Sequence, residues 1–182
     1  MWTPDEVAFA TFIVTCAYAF FTLAYVVLVA FTLGYIHKQL EQQKKEHRLQ
    51  ETLTILKELQ TQELFNQRRY IYENLPETIE GVDGNQLKAH MRKVDLAIVA
   101  FNRIGYLMDK GYVDTESILE NHWSVVWRCW QKSKNLIKWE REIRNEPKHF
   151  EEFEYLFNLS EEYRLQNGYE EPKIYGASRI IT

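Results

Sequence analysis

From residue 7 to residue 36 the chain runs for thirty residues without one charged side chain. No other feature constrains the fold as much. A helix crosses the roughly 30 Å hydrocarbon core of a bilayer with about 20 residues, so this run can span it with tilt to spare. Two other readings compete. A signal peptide has a cationic start, an apolar stretch of about 7–15 residues and a small-residue cleavage site. Here Asp5 and Glu6 precede the run, with no Lys or Arg before it. Ile13-Val14-Thr15-Cys16 resembles a lipoprotein cleavage site, yet it sits mid-run with apolar residues on both sides. A buried core helix of this length would far exceed the roughly 10–14 residues usual in globular proteins. The run therefore reads as a transmembrane helix over residues 7–36.

The flanks set the expected orientation. Lys38, Lys44, Lys45 and Arg48 follow the run closely, and excess Lys and Arg mark the cytoplasmic side. Residues 1–6 then face outward and the rest of the chain lies in the cytoplasm, as a single-pass protein of the cell (inner) membrane. Trp2 and Tyr35 sit near the two ends, where amphipathic rings favour the headgroup level. Within the run, Thr11, Thr15, Ala19 and Thr22 recur on one helical face, and Ala30 with Gly34 adds a second small pair. Small residues let transmembrane backbones approach, and threonine hydroxyls can bond across to a neighbour. A second transmembrane helix is thus expected against this face. No Asp, Glu, Lys, Arg or His lies inside the run, so the usual markers of an ion path are missing.

Beyond residue 36 every strong signal is helical, and the fold class is all-α. Residues 37–61 form a juxtamembrane stalk of good helix formers, and nothing from His37 to Arg69 interrupts a helix. Leu49, Leu53, Leu56 and Leu59 draw a short coiled-coil-like seam of about two heptads, able to pair with a copy or to pack on the domain that follows. Residues 62–166 read as a helical bundle. Helices are expected over 62–75, stopped by Pro76; from an Asn85 cap to about Lys110; over a short stretch 116–121; over 122–145; and over 150–165. Leu87, Met91, Val94, Ile98, Phe101, Ile104 and Met108 share one inward face of the second of these. Residues 167–182 form a tail without period.

Trp123, Trp127 and Trp130 fall at helical spacing, with Trp139 beyond them and Arg128, Arg141 and Arg144 beside them. Such a stripe fills a core or anchors a partner, because Trp and Arg are favoured at binding hot spots. Arg68 and Arg69 are placed to pair with glutamates of a neighbouring helix or with anionic headgroups.

Chemistry is sparse. The five histidines form no HExxH pattern, and no glycine-rich phosphate loop or GxSxG elbow is present. His122 and Cys129 share a helical face, but a zinc site takes three or four ligands. Cys16 and Cys129, one inside the apolar run and one far from it, are not expected to pair. The net charge of −4 argues against nucleic acid, which needs a clustered positive surface. No cofactor is expected.

Arg68-Arg69-Tyr70 with Glu73 and Leu75, Phe101-Asn102-x-Ile104-Gly105, Gly111-Tyr112-Val113-Asp114, then Trp130, Arg141 and Phe153-Glu154-x-Leu156 resemble an uncharacterised prokaryotic family. Its members are short helical proteins, often with one N-terminal membrane helix, known only as a domain of unknown function. The resemblance spans about residues 62–160. It implies an all-α cytoplasmic module and supplies no catalytic residues. The expected role is a membrane-anchored interaction module that contacts lipid, itself or other subunits of a membrane complex, as a homo-oligomeric scaffold or accessory subunit. A membrane-tethered signalling or defence sensor and a metal-binding enzyme are the alternatives.

Overall fold

Thr52 lies in the last two turns of the first helix, among the leucines of the seam, and the chain buries it. A computed structural model of the protein describes residues 4–173. These residues form five helices and no strand: α1 (Pro4–Leu59), α2 (Gln62–Asn74), α3 (Gly84–Asp109), α4 (Thr115–Arg144) and α5 (Glu151–Gln166). The chain divides into two units, residues 1–47 and residues 48–182.

In the first unit nearly all the described apolar side chains are exposed. Phe31 is 77% exposed and Val14 68%, and Ile36, the last residue of the uncharged run, is 44% exposed. This α1 stretch is long and apolar enough to cross a membrane, and its most apolar window is unburied by protein. A soluble core helix would hide such side chains; a lipid-facing one would not. Two threonine hydroxyls of the expected packing face turn onto their own helix. Thr15 Oγ1 donates to the Thr11 carbonyl and Thr22 Oγ1 to that of Tyr18, each at 2.8 Å. The hydroxyls of Thr15 and Thr22 are therefore satisfied within the helix, which leaves small size, not hydrogen bonding, as what this face offers a neighbour.

In the second unit the order is reversed. Ile55, Leu59, Leu64, Ile71, Val94, Ile98, Phe101, Val126, Cys129, Ile137, Phe153 and Leu156 form one buried cluster. Helix α1 does not continue to Arg69 as its composition suggests. It stops at Leu59, and Gln60 and Thr61 make a turn held by Gln60 N–H to the Lys57 carbonyl and Thr61 N–H to the Glu58 carbonyl, both at 3.1 Å. Local propensity is a weak preference. Burying Leu64 and Ile71 in the same cluster as Ile55 and Leu59 outweighs it.

The buried line of α1 coincides with the leucine seam only in part. Leu49 and Leu53 are exposed, while Thr52, Ile55 and Leu59 are buried. Thr52 Oγ1 donates to the Arg48 carbonyl at 2.8 Å and accepts from the Asp114 N–H at 2.9 Å. A polar group so satisfied can be buried at little cost, and its hydroxyl disguised the true inward face.

Helices α3 and α4 differ from expectation at their ends. The cap of α3 is Asp83, whose carboxylate accepts from the Asn85 N–H at 3.1 Å, not Asn85 itself. The two helices expected around residues 116–121 and 122–145 are one. Asn121 does not interrupt: its side-chain amide donates to the Ser117 carbonyl at 2.8 Å. Ile118, Leu119, Val126, Cys129, Leu136 and Ile137 then keep one buried face along the whole of α4.

Candidate functional site

Seven of the residues that carried the family resemblance, Phe101, Asn102, Gly105, Trp130, Arg141, Phe153 and Glu154, meet in one joint of α3, α4 and α5. Phe101 and Phe153 stack at 5.1 Å between ring centres, and Trp130 meets Phe153 edge-on at 5.1 Å. Asn102 Oδ1 accepts the Phe153 N–H at 3.1 Å. That amide belongs to the first turn of α5, whose own cap, Phe150, offers no side-chain oxygen. Asn102 thus caps α5 from another helix, satisfying one of the amides that every helix start leaves bare. Gly105 permits the approach: a methyl group there would overlap the Glu152 carbonyl. Arg141 completes the joint, donating to the His149 carbonyl at 2.8 Å and to the Glu154 carboxylate at 2.9 Å. These residues hold α3, α4 and α5 together.

A different place is open to solvent. Helices α2 and α4 flank a cleft of about 420 Å³. From α2, Phe65, Arg68, Arg69 and Tyr72 enter it at successive helical turns, and from α4, Val125 and Arg128. Tyr72 is fixed by the buried Cys129, whose thiol donates to the Tyr72 hydroxyl at 3.3 Å. Burial pushes the Cys129 thiol up to about 12 and raises the Tyr72 hydroxyl, while Arg68 and Arg128 pull both the other way. At neutral pH Cys129 is a thiol, a poor nucleophile and a poor metal ligand. Arg128 lies over the Tyr72 ring at 5.6 Å, and its Nε donates to the Ser124 carbonyl at 3.1 Å. His122 is half-buried; burial, and then the Arg68 charge, hold its imidazole below the usual range.

The charges in the cleft do not cancel. Arg69 is matched by Glu73 at 2.8 Å, the one carboxylate lining the site. Arg103, Arg141, Arg144 and Arg164 each have a carboxylate partner elsewhere. Among the described residues Arg68 and Arg128 have none, so the cleft carries two unmatched guanidinium charges against walls of Phe65, Tyr72 and Val125.

The expected site residues are scattered. Tyr35, Lys38, Lys44, Lys45 and Arg48 are exposed along α1, and Trp2 lies outside the described residues. Ala19, Ala30 and Gly34 are exposed on the apolar stretch. The tryptophan stripe divides: Trp127 and Trp130 are buried, and Trp123 is half-buried and stacks on Tyr169 at 5.3 Å. Part of the periodless tail is thereby docked. Trp127 Nε1 donates to Glu161 at 2.6 Å, and that carboxylate is held below its usual range by Arg164 and by the indole N–H. Sequence reasoning noted Arg68 and Arg128 but not that they share a cleft. The only trace was their helical spacing from Tyr72 and Val125.

Among the described residues the fold is all-α, with one helix long and apolar enough to cross a membrane and a helical second unit. The chain belongs to the family described as domain of unknown function (DUF4760), whose model matches residues 14–160. Comparison with curated proteins and with solved structures gave no match.

Proposed function

We propose that the protein is a membrane-anchored helical binding module, held by residues 7–36 in the inner membrane with its helical unit in the cytoplasm, and acting as a homo-oligomeric scaffold or accessory subunit of a membrane complex. The observation that carries this reading is the solvent-exposed apolar surface of α1 over residues 11–36, which only lipid or another apolar helix can cover. Lys38, Lys44, Lys45 and Arg48 support the inward orientation. The small side chains of Ala19, Ala30 and Gly34 support a helix neighbour within the bilayer.

The test is crosslinking in native membranes followed by gentle detergent extraction and mass spectrometry. The expected result is a protein that resists alkaline extraction and crosslinks to itself or to a fixed set of membrane proteins. Release into the soluble fraction at alkaline pH, or an isolated monomer under all crosslinkers, would overturn it.

A further inference from the structure

We infer that the α2–α4 cleft binds a small soluble phosphate ester carrying a flat apolar ring, with Arg68 and Arg128 on the phosphate and Phe65 and Val125 against the ring. The inference stands apart from the membrane anchoring, because it uses only residues of the second unit.

A guanidinium is seldom left half-buried without an anion, since its five N–H donors and its charge lose water on burial. Arg69, Arg103, Arg141, Arg144 and Arg164 each meet this with a carboxylate. Arg68 and Arg128 do not, and the one carboxylate of the cleft, Glu73, is already engaged by Arg69. The missing counter-charge must therefore come from outside the cleft's own residues. A carboxylate brings one charge, which a single guanidinium balances. A phosphate monoester brings about −1.5 to −2 and three acceptor oxygens, enough for two. Arginine's planar fork suits that geometry.

Shape and walls give the rest. The volume of about 420 Å³ lies in the range of about 300–1,000 Å³ usual for small-molecule pockets. Phe65 is 51% exposed, a large ring with no protein face over it. Val125 is half-buried beside it. Tyr72 is held still by Cys129 below and Arg128 above, so the floor is preorganised. A ring on Phe65 would cover apolar surface that the chain leaves wet, and rigid walls reduce the ordering cost of binding.

The test uses the full chain in detergent micelles, with phenyl phosphate as probe and titration calorimetry as readout. Phenyl phosphate should bind about tenfold more tightly than inorganic phosphate, the gain of burying one ring. Arg68→Gln and Arg128→Gln should each weaken both probes by about tenfold, the loss of a charged hydrogen bond. Phe65→Ala should weaken phenyl phosphate and leave inorganic phosphate unchanged. Arg92→Gln, exposed on α3 and outside the cleft, should change nothing. Circular dichroism melts check that each variant is folded; should Arg128→Gln unfold, Arg68→Gln alone decides. Equal affinity for the two probes would reduce the site to a bare anion patch and overturn the inference. So would unchanged binding in a folded Arg68→Gln. Binding seen only in nanodiscs containing phosphatidic acid would assign the cleft to a lipid headgroup and overturn it as well.

Discussion

The joint of α3, α4 and α5 and the cleft between α2 and α4 are built from the same materials, arginine and aromatic rings, to opposite ends. In the joint, Phe101, Phe153 and Trp130 lie ring against ring in the core, and Arg141 is satisfied by Glu154 and the His149 carbonyl. In the cleft, Phe65 is half in water and Arg68 and Arg128 lack an anion. What separates the two is neither residue type nor helical spacing but whether the polar groups have found partners. A satisfied arginine is cement; an unsatisfied one in a walled cleft is an invitation to a ligand.

If the joint is purely structural, damage there should cost stability in proportion to the geometry disturbed. Gly105→Ala is the severest small change available. A helix interior gains about 1 kcal/mol from Ala over Gly. Here the added methyl meets the Glu152 backbone carbonyl, which cannot rotate aside as a side chain would. Helices α3 and α5 must separate, and overpacking of this kind costs about 1–3 kcal/mol, with this site at or beyond the upper end. Thermal melts in micelles should show a fall of about 4 °C or more. An unchanged or raised melting temperature would mean that α3 and α5 do not meet there.

Asn102→Ala should cost less. It strips the Phe153 N–H of its acceptor and leaves the first turn of α5 uncapped, a loss of about 1 kcal/mol. Asn102→Asp keeps an oxygen in place and adds a negative charge near a helix start, so it should recover most of that loss. If Asp fails where Asn succeeds, the side chain serves some purpose other than capping. Neither variant should alter probe binding in the cleft, and an effect there would dissolve the distinction between the two regions.

How much of this was legible in the chain depends on where each signal resides. The uncharged run declares itself because its lack of charge extends over thirty residues at once. The inward face of α3 was legible for a similar reason, since Leu87, Met91, Val94, Ile98, Phe101, Ile104 and Met108 are all buried as their spacing implies. The seam on α1 shows only part of its buried line, with Leu59 buried and Leu49 and Leu53 exposed, because Thr52 is polar in sequence and apolar in effect once its hydroxyl bonds Arg48 and Asp114. The break after Leu59 was invisible because no residue there opposes a helix; only the distant core does. The single α4 was split in error because Asn121 looks like a stop until its amide is seen bonded within the helix. The cleft failed to appear for the deepest reason. Arg68 and Arg128 lie sixty residues apart, and whether a guanidinium finds a carboxylate depends on tertiary neighbours that periodicity does not encode.

The finest distinction between the regions is electrical, and His122 reports it. Burial first, and Arg68 second, hold its imidazole below the usual range. As the solution is acidified through about 6.5, the unfolded chain therefore takes up its proton before the folded one does. Stability from this group is complete above that pH and declines as pH falls toward the folded value. His149, also held low by burial and Arg144, adds a decline of the same sign from the α4–α5 turn. Solvent screening of half-buried groups keeps each effect under about 1 kcal/mol. The two histidines part company when Arg68 is removed. Arg68→Gln should raise the His122 titration midpoint, read by NMR of the imidazole, and leave that of His149 where it was. Phenyl phosphate, by matching the same guanidinium charge, should move His122 in the same direction in the unmodified chain. A His122 midpoint that ignored both changes would show that the Arg68 charge is already neutralised within the protein, and the contrast between cement and invitation would fail at the residue on which it most depends.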